Sequence, residues 1–245
     1  MYSSRSVAFR ILLCLMTVLT ASYAFNRAEP MPYAEEKRLD EVMAGSREKA
    51  RVLYDAIGLD SLGLSRPAFQ SALEGYFKLK DSGIIFSDEH ITVIDFSLPS
   101  TRKRLFLIDL KEEKLILSTY VAHGQGSGLE FAKKFSNRPA SYQSSLGFFR
   151  TAETYQGKHG YSLKLEGLEE GINHLADERS IVLHGASYVS ERYIRMRGML
   201  GRSQGCPAVP ESCHRILIDQ IKEGQCFFIY APDHNYLSLS RILHT

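Results

Sequence analysis

The spacing of apolar and polar positions changes character along the 245-residue chain. Between residues 34 and 59, Leu39, Val42, Met43, Ala50, Leu53, Tyr54 and Ile57 recur at three- and four-residue intervals with charges between them, and Gly58 follows. That period predicts an amphipathic helix. A second helix is expected from Pro67 to Lys80, capped by Ser65 with proline in its first turn, its apolar side carrying Phe69, Leu73, Tyr76 and Phe77. Together they predict an N-terminal helical hairpin. After Gly83 the pattern shortens. "HITVIDFSL", "RLFLIDL", "KLILSTYVAHG", "SLGFFRTAETY", "YSLKLEGL", "SIVLHGAS" and "CFFIYAPD" are short segments rich in β-branched and aromatic residues, bounded by turn formers, and they predict strands. "DLKEEKL" reads as a hairpin loop between two of them. One helix is expected to interrupt the series, from Pro210 to about Ile221, with Ile216, Leu217 and Ile221 on its apolar side. The fold class is mainly β (α+β): a mostly antiparallel sandwich or barrel with one or two packed helices.

The first residues follow a different logic. Arg5 and Arg10 precede "ILLCLMTVLTA", and "SYA" follows it. A basic stretch, a short apolar core and small residues at the cleavage positions predict a signal peptide over residues 1–24, cut after Ala24. The apolar run is short for a membrane span of about 20 residues. The expected organisation is then a linker and helical region over residues 25–82 and a main domain over 83–245. Export to the periplasm or cell envelope follows from that reading. A formal net charge of +2 is too small to argue for nucleic acid as a partner. Of four cysteines, Cys14 lies in the signal, leaving Cys206, Cys213 and Cys226 in the mature chain. An odd number in an oxidising compartment leaves one candidate reactive thiol. Either Cys213 pairs with Cys226, or both are reduced core residues.

Cys206 stands out within "GRSQGCPAV", a small-residue turn rather than an apolar run. A thiol attacks as thiolate, and an imidazole can take its proton. The candidate base is His184 in "IVLHGAS", at the end of a buried strand, with Gly185 allowing a sharp exit; His123 is the first alternative. Gly205 permits a backbone that aims N–H groups into one hollow, suited to the oxyanion of a tetrahedral intermediate. Pro207 has no N–H, so the donors must come from Cys206 and from Gly205 or Gln204. The Ser203 hydroxyl is placed to brace the turn or to help hold the oxyanion. Arg192, Arg195, Arg197 and Arg202 form a cationic stretch between base and nucleophile, suited to a substrate bearing carboxylates. Arg202 is the strongest of the four because it adjoins the turn. No close ligand spacing of the zinc type joins the histidines and cysteines, so no metal is expected. "GQGSG" lacks the ending of a phosphate loop, and Gly124, Gly126 and Gly128 are expected to shape a loop near the cleft.

These motifs resemble a known family. "IVLHGA" followed by "GRSQGCPAV", with "AHGQGSG", "FSN", "SLGFFRT", the segment from Tyr155 to Leu168 and "RSIVLHGA", resembles the YkuD-type L,D-transpeptidases, and more closely their murein L,D-transpeptidase catalytic domain subgroup. The similarity runs from about Ile91 to Pro232. It implies a β-sandwich-like catalytic fold and cell-wall chemistry without a cofactor. It maps the nucleophile onto Cys206, the base onto His184, the motif serine and glycine onto Ser203 and Gly205, and the glycine after the base onto Gly185. Two places depart from the usual motif: Gln204 stands where a second histidine is common, and Pro207-Ala208 follow the cysteine in place of Asn or Arg. The implied reaction is attack by Cys206 on a peptidoglycan tetrapeptide stem, loss of D-alanine, and transfer of the acyl group to a second stem as a 3-3 cross-link. Carbapenem-type inhibitors are expected to acylate such a site. Gly185, Arg202, Gln204 and His123 are the expected substrate contacts. Water as acceptor would make the same site an L,D-carboxypeptidase or endopeptidase. A non-catalytic wall-binding module is a further alternative; a disulfide oxidoreductase is disfavoured by the lack of a Cys-x-x-Cys pair.

Overall fold

Apolar segments that alternate poorly, such as "LFLID" and "CFFIY", are signatures of strands covered on both faces, and every residue of both is buried. The computed structural model describes residues 33–86 and 89–244, with side chains from residue 45 onward. The expected signal peptide and most of the linker therefore lie outside the described residues. Three helices come first: α1 (Tyr33–Ile57), α2 (Leu59–Leu62) and α3 (Arg66–Asp81). Strands β1 (His90–Asp95), β2 (Leu105–Asp109), β3 (Lys114–Thr119), β4 (Gly147–Gly157), β5 (Gly160–Gly167) and β6 (Val182–Gly185) follow. Then come α4 (Glu191–Arg197), β7 (Ala208–Val209), α5 (His214–Ile221), β8 (Cys226–Tyr230), α6 (His234–Leu239) and α7 (Arg241–His244).

The eight strands are hydrogen-bonded in the order β3-β2-β1-β8-β4-β5-β6-β7. Pairing is antiparallel except for β1 with β8 and β6 with β7. The mainly β, α+β class is borne out. All seven strands expected from the sequence are present. The eighth, β7, is two residues long, too short for a two-residue period to reveal.

Residues 43–245 form one compact unit; of residues 1–42, which form another, only the start of α1 is described. Ser65 caps α3 by accepting the Ala68 N–H at 3.4 Å. Phe69, Leu73 and Tyr76 of α3 are buried, and the helix packs on β1 and β8. They belong to the same core as Val93, Phe148 and Phe228, where the last two rings stack at 4.2 Å. Each fully buried apolar side chain of this size contributes roughly 1.5–3 kcal/mol. The helix expected from Pro210 starts at His214, because residues 211–213 form a turn in which the Cys213 and His214 N–H groups both donate to the Pro210 carbonyl. Its buried face is Leu217, Ile218 and Ile221, while Ile216 is 61% exposed. That is a correction by one residue: positions 217, 218 and 221 share a face, and 216 lies about 160° from 218 and about 140° from 221 around the helix. Cys206, Cys213 and Cys226 are all unbridged. Cys226 is a core residue of β8, as the second of the two cysteine readings has it.

Candidate active site

A parallel pairing of β6 with the short β7 sets His184 opposite Ala208 and Gly185 opposite Val209. Because Cys206 lies two residues before Ala208, that register brings the cysteine turn beside the histidine, although 21 residues separate them in the chain. His184 is only 2% exposed. Its Nδ1 lies 3.0 Å from the Gly185 carbonyl, which can only accept. Nδ1 therefore carries the proton and Nε2 keeps its lone pair, the tautomer that a base requires. Burial holds the imidazole below its usual pKa, opposed by the Gly185 carbonyl and reinforced by His159 and His214. The His159 ring, from the tip of the β4–β5 hairpin, stacks on it at 4.3 Å and 20°.

The cysteine turn is closed by Ser203. Its Oγ donates to the Cys206 carbonyl at 2.6 Å and accepts the Gly205 N–H at 3.1 Å. Gly205 has φ 126°, a conformation that side chains with a Cβ rarely adopt. Gly124 lies underneath, where a Cβ would come within 2.4 Å of the Tyr142 carbonyl and 2.9 Å of the Gly205 Cα. Ser144 Oγ locks both, accepting the Gly124 N–H and donating to the Gly205 carbonyl at 3.3 Å. One consequence corrects the sequence reading: the Gly205 N–H is spent on Ser203. The candidate oxyanion donors that remain are the Gln204 and Cys206 N–H groups.

The Cys206 thiol is partly exposed and donates to the Ser180 carbonyl at 3.4 Å. Burial pushes its pKa up; the Val182 N–H, the Arg179 guanidinium and its own N–H pull it down. It opens on a cleft of about 560 Å³ that is also lined by His184, Ser203, Gln204, Arg202, Arg179, Lys158 and His159. No Asp or Glu among the described residues lines it. Tyr142, Tyr155 and Tyr188 add aromatic walls. Arg202 reaches it with Nη1 tied to the Gly128 carbonyl at 3.0 Å, so the glycine-rich loop shapes the cleft margin.

The structure brings together Cys206, His184, Ser203, Gln204 and Arg202, with Gly205 in the same turn. Two expected substrate contacts lie elsewhere. Gly185 is buried in β6 beside α5, outside the cleft lining. His123 is fully buried and also outside it. Arg104 Nη2 lies 2.8 Å from His123 Nδ1, and the Phe96 ring packs edge-on against its imidazole. An arginine only donates, so His123 Nδ1 must accept. Burial, then the Arg104 charge, hold the His123 pKa down to about 4. The expected arginine stretch is for the most part the short helix α4, on which Arg192, Arg195 and Arg197 are exposed. Arg195 pairs with Glu191 at 3.6 Å, an acid one residue outside the stretch considered. That helix has no apolar stripe, so its only sequence signals are its ends: Ser190, which caps Tyr193, and Gly198 at φ 75°. Arg179, His159 and the three tyrosines were not legible as site residues. The one available signal was a cation two residues before the buried segment that carries His184.

Comparison with known proteins adds to this geometry. The family model for the L,D-transpeptidase catalytic domain, YkuD_2, matches residues 61–230, and thus includes α3 as well as the sheet. Among solved structures, an L,D-transpeptidase from Mycobacterium smegmatis matches with 10% identity and a TM-score of 0.37, covering 58% of this chain and 59% of that one. The LD transpeptidase LdtMt1 in complex with imipenem matches with 11% identity and a TM-score of 0.37, covering 59% of this chain and 60% of that one. The L,D-transpeptidase (residues 123–326) from Xylanimonas cellulosilytica DSM 15894 matches with 16% identity and a TM-score of 0.36, covering 78% of this chain and 93% of that one. The chain thus spans about 60% of the length of the first two. No curated protein sequence matches it.

Proposed function

Because the chain belongs to the L,D-transpeptidase catalytic domain family, we propose that it is a cysteine-dependent acyl transferase acting on peptidoglycan stem peptides, with Cys206 as nucleophile and His184 as base. The observation that carries this reading is one cleft holding a thiol, a neutral imidazole and several cations, with no carboxylate among its described lining residues. A cationic, acid-free cleft favours a substrate rich in carboxylates, as stem peptides are.

In the proposed reaction His184 Nε2 takes the Cys206 proton, and the sulfur attacks the carbonyl that joins the diamino acid to the terminal D-alanine. The C–N bond breaks, His184 returns the proton to the departing amine, and D-alanine leaves. The oxyanion is held by the Gln204 and Cys206 N–H groups, whose direction is fixed by the Ser203 brace. The side-chain amine of a second stem then attacks the thioester, His184 accepts its proton, and the thiol is restored as the 3-3 cross-link forms. The predicted signal peptide suits a substrate outside the cytoplasm.

Intact mass after incubation with a carbapenem tests the thiol chemistry. An adduct on the wild-type protein and none on Cys206→Ala is expected. An adduct of equal yield on both, or none on either, would overturn the reading. Muropeptide analysis after incubation with purified tetrapeptide substrate then reads the acceptor: a cross-linked dimer is expected, and tripeptide alone would make water the acceptor.

A further inference from the structure

Arg179 is bonded in a way that is unusual for a guanidinium. Nη1 donates to the Ser136 carbonyl at 2.6 Å and to Ser145 Oγ. Nη2 donates to the Gln143 carbonyl at 2.6 Å and to Ser141 Oγ at 3.3 Å. All four acceptors are neutral, and no carboxylate among the described residues pairs with Arg179 within ion-pair distance. Its charge is therefore positioned but not compensated. A partly buried, uncompensated cation is costly unless an anion joins it.

The anion that can join it is the thiolate formed when Cys206 ionises. Nη2 stands 3.4 Å from where a Cβ on Gly205 would lie, directly beside the residue that precedes Cys206. The thiol in turn donates to the carbonyl of Ser180, the residue after Arg179. Four bonds to residues 136–145 keep the guanidinium from swinging out to a ligand. A fixed charge costs no reorganisation when the thiol ionises.

We propose that Arg179 is a positioning residue that stabilises the thiolate of Cys206 when the thiol ionises, through a charge held fixed beside the cysteine turn. The proposal rests on Cys206 being the nucleophile. The cleft's other titratable groups are His184 on β6, Tyr155, Lys158 and His159 on the β4–β5 hairpin, Arg202 in the cysteine loop, and the tyrosines Tyr142 and Tyr188. Burial pushes the Cys206 pKa up, and the Arg179 charge opposes that rise.

The test is the pH dependence of Cys206 alkylation by iodoacetamide, read by peptide mass on the full chain, with thermal melting and carbapenem acylation in parallel. An opposite charge a few ångströms away shifts such a midpoint by about 1–3 pH units. Arg179→Gln is expected to raise the midpoint by about one unit or more and slow alkylation at pH 7 roughly tenfold. Arg179→Lys keeps the charge without the fork and is expected to stay close to wild type. An unchanged midpoint in Arg179→Gln, or an equal rise in both variants, overturns the proposal, the second because the hydrogen bonds alone would then matter. Should Arg179→Gln not fold, Arg179→Lys decides alone: a midpoint near wild type supports the proposal and a rise of about one unit overturns it. Alkylation needs no peptidoglycan, so an Arg179-dependent thiol in a protein that carbapenems do not label would sink the proposed function and leave this proposal standing.

Discussion

Two arginine–histidine regions lie side by side in this molecule, and chemistry is possible in only one. In the first, Arg104 is fully buried, donates to the Val121 and Leu98 carbonyls, and points Nη2 at His123. In the second, Arg179 donates to carbonyls and hydroxyls at the edge of the cleft that holds His184 and Cys206. Both guanidiniums are solvated by neutral acceptors in place of water. The difference is in compensation and access. Asp95 and Glu130 act on Arg104, whose pKa burial brings down to about 9, and its histidine is sealed from solvent. Among the described residues Arg179 has no such acid, and it lines an open cleft together with the Cys206 thiol. The closed pair serves as a foundation: the Ser203 N–H, in the turn that carries Cys206, donates to the His123 carbonyl at 3.0 Å. The same residue types are thus sealed in one region and open to a cavity in the other.

The sharpest way to break this contrast is Arg104→Met. It strips the Val121 and Leu98 carbonyls of their buried donors, and unsatisfied buried groups cost about 1–3 kcal/mol each. A stability loss of about 3 kcal/mol or more is expected in urea denaturation, with activity per folded molecule retained. A loss under about 1 kcal/mol would remove Arg104 from the foundation. Next in size is His184→Ala, which should slow carbapenem acylation about a hundredfold, close to the 2.7 kcal/mol that such a factor represents. A rate within about threefold of wild type would move the base elsewhere.

The smallest expected effect concerns pH. His123 has its folded pKa depressed from 6.5 to about 4, so its contribution to stability is complete above 6.5 and is lost as pH falls toward 4. Between pH 6 and 5 this amounts to about 1 kcal/mol. His123→Gln can still accept from Arg104 and should lack that increment, so urea midpoints at the two pH values should differ less in the variant. Equal pH dependence in both proteins would mean that His123 titrates normally and is not sealed.

Much of this was legible in the sequence because it is local. Ser65 and Pro67 announced α3, and the apolar runs announced seven strands. Gly205 and Pro207 marked a turn that exposes Cys206. What escaped detection was non-local or too short to have a period. The two-residue β7 has no periodicity of its own. Gly185 and His123 carried the right neighbours in sequence, yet the sheet turned them inward. Arg179 could not be separated from any other surface arginine until the chain had folded around its guanidinium.

The sequence by itself determined most of the elements, their order and the candidate side chains, since propensity, capping and residue chemistry act over a few positions. Only the tertiary structure decided which histidine shares a cleft with the cysteine, which N–H groups of its turn are already bonded, and which arginines line that cleft. Those depend on strand register and on desolvation, and both are set by residues far apart in the chain.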